Sequence, residues 1–414
     1  MKKDVVIIGA GIMGLTCAYF LQKNGRKVTI IDEGNITDST SFGNAGLLSA
    51  FDKTPLSNPG VLLNTFKLML KGQSPAILHP TLDPKICKWL LNFAINANSK
   101  RTKKTMMLFE KYGEISLDLY KQMIKEDNLD FDFHHTGMLS VFTENKTYEA
   151  KLKNYNYVDE DRFKILDKSD LSEYLPSANE KVKGAILFKK NAHFDSKRVM
   201  LELKRHLEES GAEFILNEKI KNINFKDKKV NYILSENKNF YEAEHFVLST
   251  GYQTLLSDIR KKPLLMTPAK GYSITFEMPE VLKPKTSVLF NDLFIVMTPR
   301  RDNVRLTSKL EIGSVDKNVV KKQIDSIKKN FFEYNNNFEM KEEVHWSGFR
   351  PLTPNDIPLI GRDEEYNNLS YAMGLGWLGM TFAPALGNII CDLIVNDKQN
   401  AKSDDILLFS GFYQ

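Results

Sequence analysis

The chain has 414 residues, 42% of them apolar and 26% charged, which suits a soluble globular protein with room for a large core and two domains. Its formal net charge of +5 is mild, and no module interleaves basic clusters with aromatics, so nucleic-acid binding is not expected. Three scattered cysteines (Cys17, Cys87, Cys391) and seven histidines without H-x-x-H or H-E-x-x-H spacing give no disulfide framework and no metal site, and suit a reducing compartment.

Val5 to Ile8 is a short β-branched run suited to a buried parallel strand. Gly9-Ala-Gly11-Ile-Met-Gly14 follows at once and fits G-x-G-x-x-G. The pattern then turns helical from Ile12 to Lys23, and Asn24-Gly25 stops it. Val28 to Ile31 is a second strand ending on Asp32. Gly9 permits the turn, Gly11 lets a pyrophosphate approach the backbone, and Gly14 lets helix and strand pack closely. The helix start offers N–H groups and a dipole to the phosphates, and Asp32 suits ribose hydroxyls, with Glu33 as the competing acid. The unit predicts a bound dinucleotide with an unphosphorylated ribose. Lys2-Lys3 before an uncharged run could pass for a signal peptide or membrane helix, but Asp4 and the spaced glycines argue for strand, turn and helix.

Small residues then dominate Ser39 to Ser49, a composition that lets backbone run against a flat ligand or simply makes turns. Here the sequence resembles a known family. TSFGNAGLLS, soon after GAGIMG, is similar to the flavoproteins that include D-amino-acid oxidases, sarcosine and glycine oxidases and D-amino-acid dehydrogenases. The small-subunit type of bacterial D-amino-acid dehydrogenase has a similar TSFANAG run. The resemblance implies FAD, with Thr40, Ser41, Asn44, Ala45, Gly46 and Leu47 against it.

Residues 52–135 are Pro-punctuated and then helical. Ile86 to Ile95 reads as an apolar helix, Lys100 to Lys104 as a basic run and Met106 to Lys125 as an amphipathic helix. Between Val61 and Lys125 eleven Lys/Arg face four Asp/Glu, a local excess of seven over acids. This basic stretch reads as a helical cover over the site or as a membrane-surface patch. Strands are expected at Met138–Phe142 and Gly184–Phe188, joining a large substrate-side sheet. Asp195 is expected to cap a helix to Leu207, and a small meander follows near Asn222–Phe225 and Val230–Ser235.

His245 to Gly251 is a buried strand ending in Ser-Thr-Gly, similar to the family's Ala-Thr-Gly, which implies Thr250 and Gly251 at the cofactor. Strands then run from Pro268 to Ser308. They begin with the Lys270-Gly271-Tyr272 seen in the dehydrogenases. Lys270 reads either as a charge beside reduced flavin or as a structural ion pair, and Tyr272 either as a pocket wall or as packing. Trp346-Ser-Gly-Phe-Arg350-Pro is similar to the family's W-x-G-[FL]-R-P, whose Arg binds the substrate carboxylate. A guanidinium suits that task through paired hydrogen bonds. Asp356 stands where the family's D-G-x-P-x-I-G has Gly. Gly374-Leu-Gly376-Trp377-Leu378-Gly379-Met380-Thr381 precedes a helix from about Pro384 to Val395 and implies backbone turned to the flavin. Leu375 replaces the family's frequent His.

The expected fold is α/β. A discontinuous FAD-binding Rossmann-like domain comes from 1–51, 150–255 and 346–414. An α+β substrate domain with a large antiparallel sheet comes from 52–149 and 256–345, with 59–125 as a basic helical insertion. The resemblance implies oxidative deamination of D-amino acids to 2-oxo acids and ammonia by hydride transfer from Cα to flavin N5. Electrons would pass to a quinone or other carrier. The chain would be cytoplasmic or peripheral on the inner face of the membrane. An oxidase acting on glycine, sarcosine or a cyclic imino acid is the alternative. A flavin domain of a tRNA-modifying enzyme and a non-catalytic flavin-binding partner rank lower.

Overall fold

A computed structural model describes residues 2–51, 53–61, 65, 74–155, 159–253 and 265–396. Lys67 and Lys71 of the basic stretch and the segment 397–414 lie outside them. The elements that build the site are, in chain order, β1 (Lys3–Ile8), α1 (Ile12–Lys23), β2 (Val28–Ile31), β3 (Ala76–Leu78), α2 (Pro84–Asn96), α3 (Ser99–Asp127) and α4 (Ser196–Glu209). They continue with β4 (Glu213–Ile215), β5 (Ala243–Leu248), β6 (Thr267–Glu277), β7 (Val304–Ile312), α5 (Lys321–Tyr334), β8 (Lys341–Leu352), β9 (Leu359–Arg362), β10 (Leu369–Met373) and α6 (Gly379–Val395).

The first sheet has the order β9-β10-β5-β1-β2-β4, parallel except for the β9/β10 pair. Strand alternation explains its two buried faces. Val5 and Ile7 enter a core built with α1, α3, α4 and α6. Val6 and Ile8 enter a core shared with the meander Ile220–Lys226, Lys229–Ser235 and Phe240–Tyr241. Gly387 lets α6 close on α1: a Cβ there would stand 2.9 Å from the Thr16 carbonyl carbon.

The second sheet has nine strands and is mostly antiparallel. β8, β6 and β7 form one end, followed by Ile295–Pro299, Ser287–Phe290, Met138–Phe142, Gly184–Phe188 and Phe163–Leu166, and β3 adds to β7 in parallel. The strands at 163–166 and 184–188 therefore pair on the substrate side, although 150–255 was assigned above to the cofactor domain. β8 likewise carries Trp346 to Pro351 into this sheet.

Two helices begin earlier than their patterns suggest. α3 starts at Ser99, capped by Asn98 Oδ1 accepting from Arg101 N–H at 3.0 Å, so the basic run forms its first turns. That run carries no apolar stripe, which hid the start. From Thr102 to Met123 buried side chains recur at helical spacing and pack towards α6. α6 starts at Gly379 and contains Pro384, whose missing N–H cannot satisfy the Met380 carbonyl four residues back. The Tyr120 hydroxyl supplies that donor at 2.8 Å, and Thr16 Oγ1 donates to the Ala383 carbonyl at 3.0 Å.

Candidate active site

A continuous cavity of about 1360 Å³ runs from the β1–α1 turn to the β6/β7/β8 end of the second sheet. Gly9 opens it in a left-handed conformation (φ +110°), and any Cβ there would meet the Ser249 carbonyl oxygen at 2.4 Å. Gly14 stands behind the wall, where a Cβ would lie 1.9 Å from the Gly9 carbonyl oxygen. Gly11 differs. A Cβ there would meet only Ser41 Oγ, at 3.6 Å, so its space is open to a ligand. Gly11 gives α1 no side-chain cap, and Ser41 Oγ accepts from Ile12 N–H at 3.1 Å. Ser41 thus takes one first-turn donor and leaves the helix dipole and the rest of the first turn to an anion.

Asp32 ends β2 on the same rim. Its Oδ2 accepts from Ala10 N–H at 2.6 Å and its Oδ1 from Gly34 N–H at 2.9 Å. Burial raises its carboxyl above the usual range despite those bonds. Each carboxylate oxygen has a second lone pair for a ribose hydroxyl. Glu33 also borders the cavity and accepts from Gln253 Nε2.

The small-residue loop crosses between the two sheets. Thr40, Ser41, Asn44, Ala45 and Leu47 line the cavity. Thr40 Oγ1 donates to the Phe349 carbonyl at 2.8 Å, tying the loop to β8. Gly46 faces away: a Cβ there would stand 2.1 Å from the Phe194 carbonyl oxygen. Beneath the loop, Arg305 Nη1 donates to the carbonyls of Phe42 (3.0 Å) and Asn44 (2.9 Å), and buried Arg300 pairs with Asp195 at 3.2 Å. Thr250, Gly251, Gly374, Gly376, Trp377, Leu378, Gly379 and Met380 line the cavity. Thr381 is a brace behind it, donating to the Leu47 carbonyl and accepting from Ser49 N–H, both at 3.3 Å.

Arg350 projects from β8 into the far end. Its Nη1 donates to the Lys309 carbonyl at 2.8 Å, and no carboxylate pairs with it among the described residues. Burial lowers its guanidinium to about 10, which leaves it charged at neutral pH. A buried cation without a counter-ion is costly unless a ligand anion completes it. Leu56, Ile77, Trp89, Leu90, Phe93 and Leu310 form the apolar wall around this end.

Lys270 and Tyr272 are not brought to Arg350. Arg350 pairs with Ala269 and lies against Gly271, so the alternating residues of β6 belong to the other face. Lys270 is 1% exposed and donates to the Asn318 carbonyl at 2.6 Å. Among the described residues it therefore reaches neither the cavity wall nor an acid. Tyr272 borders the cavity, but its side chain belongs to the core that includes Ile324, Ile327 and Phe331 of α5. Burial and the nearby Glu311 push its hydroxyl up.

A profile of FAD-dependent oxidoreductases, the DAO family, matches residues 4–393. This chain belongs to that family. It is an FAD-dependent oxidoreductase, and the open cradle at Gly11, the start of α1 and the Asp32 carboxylate fit an adenine dinucleotide. A D-amino acid dehydrogenase of Helicobacter pylori is 48% identical over 414 residues, covering 100% of both chains. One of Vibrio atlanticus is 26% identical over 413 residues, covering 97% of this chain and 98% of that one. Glycine oxidase from Geobacillus kaustophilus shares the fold with a TM-score of 0.74 at 19% identity, covering 97% of this chain and 96% of the other.

Several residues of this flavoenzyme have roles that reading motifs does not reveal. Lys53 lines the cavity at 6% exposure, its ammonium 5.7 Å from the Trp377 ring centroid. Gly43 and Gly348 both make room for the Trp346 indole, with virtual Cβ contacts at 2.3 and 2.2 Å. Arg305 reads in sequence as one basic residue in a strand, yet it holds the 40–47 loop from below.

Proposed function

We propose that the protein catalyses the oxidative deamination of D-amino acids to 2-oxo acids and ammonia, with Arg350 holding the α-carboxylate. The observation that carries this reading is a partly buried, charged guanidinium at the cavity end that no carboxylate among the described residues neutralises. FAD, when bound, would supply the redox chemistry as the hydride acceptor. Gly9, Gly11, Asp32 and the α1 start would hold the dinucleotide end, and the 40–47 loop with residues 374–380 flanks the rest of the cavity. Arg350 orients the substrate, and the apolar wall keeps water from the carboxylate contact, which strengthens it. A neutral amine can release a hydride without a side-chain base, so no nucleophile–base pair is required. The imine product hydrolyses in water.

That the relatives from Helicobacter pylori and Vibrio atlanticus are D-amino acid dehydrogenases supports D-amino acids as the substrate class. The electrons are proposed to leave to a quinone or another carrier at the inner face of the membrane. No helix among the described residues is long and apolar enough to cross a membrane. Leu82, Leu91 and Ile95 are exposed at 95%, 62% and 60% beside Lys85 and Lys88, which supports surface contact. Sedimentation with anionic liposomes at low and high salt tests this; no binding at either salt removes it. Arg350→Ala tests the function: KM for a D-amino acid should rise at least about 100-fold with FAD retained. Unchanged turnover and KM would refute it.

A further inference from the structure

We propose that Gly271 and Lys309 are positioning residues that together aim the Arg350 guanidinium. The inference rests on the reading of Arg350 as carboxylate anchor. It begins with an irregularity in strand pairing. Lys270 pairs with Glu311 and Tyr272 with Ser308, so Lys309 and Leu310 together oppose the single residue Gly271. This is a β-bulge, a device that re-aims groups at active sites.

Each side of the bulge acts on Arg350. Lys309 is left-handed (φ +69°), an unfavourable state for a residue with a Cβ. Its Nζ reaches Ser326 Oγ on α5 at 3.0 Å, while its carbonyl accepts Arg350 Nη1 at 2.8 Å. The guanidinium then lies across the opposing glycine. A Cβ on Gly271 would stand 2.2 Å from Nη1 and 2.5 Å from both Cζ and Nη2. Near-equal distances to three guanidinium atoms place the plane of the group over the Gly271 backbone. The bulge thus supplies one acceptor at the edge of the guanidinium and a bare floor beneath it, leaving its other N–H groups for a carboxylate.

The obstruction at Gly271 concerns the mobile end of a long side chain, not backbone. Gly271→Ala should therefore leave the fold intact and push the guanidinium aside by about 1 Å to restore van der Waals contact. A misplacement of that size can cost about 100-fold. Lys309→Gly keeps a residue that accepts the left-handed state, whereas Lys309→Val disfavours it and turns the carbonyl away.

The test compares Gly271→Ala, Lys309→Gly, Lys309→Val and Arg350→Ala as FAD-loaded full-length enzymes. Read are KM and kcat for a D-amino acid, inhibition by propionate, the FAD absorbance spectrum and the melting temperature. Gly271→Ala should raise KM and the propionate inhibition constant in parallel, by about 30-fold or more, with spectrum and melting temperature retained. Lys309→Val should raise KM at least about tenfold more than Lys309→Gly. The proposal is overturned if Arg350→Ala raises KM while Gly271→Ala stays within twofold. It is also overturned if the two Lys309 variants are equal, or if Gly271→Ala loses FAD or melts early. An unchanged KM in Arg350→Ala would instead refute the carboxylate-anchor reading itself, and the positioning role with it.

Discussion

Replacing Tyr120 by Phe removes one hydroxyl from a fully buried side chain, and the structure says what that hydroxyl does. Pro384 gives α6 no N–H at the position that would satisfy the Met380 carbonyl, and the Tyr120 hydroxyl donates there instead at 2.8 Å. Phe leaves that carbonyl dry and unpartnered, at a cost of about 1–3 kcal/mol. In a chain of this size each kcal/mol moves the melting temperature by roughly 2–4 °C or less. Met380 borders the cavity, so FAD affinity should weaken in the same variant. The diagnostic step is a second substitution. Pro384→Ala restores a backbone N–H four residues beyond Met380, so the double variant should recover about 1 kcal/mol or more relative to Tyr120→Phe alone. Thermal unfolding of the four proteins with and without added FAD measures both terms. A Tyr120→Phe protein that melts with the parent, or a Pro384→Ala change that deepens its loss, would refute the reasoning.

Gly14→Ala should abolish FAD retention, since its Cβ would stand 1.9 Å from the Gly9 carbonyl oxygen; flavin absorbance after gel filtration checks it. Asp195→Ala should cost about 3–5 kcal/mol in unfolding experiments, because it strands buried Arg300 beside buried Arg305. Burial raises the Asp356 carboxyl from 3.8 to about 6, so the folded state holds its proton more tightly than the unfolded chain. Its contribution to stability is therefore present below about pH 4 and is lost as pH rises to about 6. Asp356→Asn should remove that slope and leave the variant roughly 1–3 kcal/mol more stable than the parent above pH 6, measured by unfolding across pH 4–8. Asn also tolerates the left-handed conformation at 356 (φ +60°), where the family has Gly.

The parts of the fold with strong local patterns were legible. The helix at Ile12–Lys23, the strand at Val28–Ile31 and the Asp195 cap stand where residue pattern and punctuation place them, because local chemistry decides them. The starts of α3 and α6 were hidden by a basic run and by Pro384, whose lost hydrogen bond is replaced from another helix. No local rule announces such a donor. That Arg350 lines the cavity was legible through its motif. Gly271 was legible only as part of Lys-Gly-Tyr, and its neighbours drew the attention. Period-two alternation separates them: once Gly271 faces Arg350, Lys270 and Tyr272 must face α5. The left-handed Lys309 was illegible, since a lysine in a strand gives no sign of a bulge set by pairing with a distant strand.

The central claim is tested most directly by the absorbance of the purified FAD-loaded protein under anaerobic addition of D- and L-amino acids in turn. A flavin band that D-isomers bleach and L-isomers do not is expected, with bleaching shifted to much higher concentrations in Arg350→Ala. A flavin band indifferent to every D-amino acid, or bleached equally by both isomers, would contradict it.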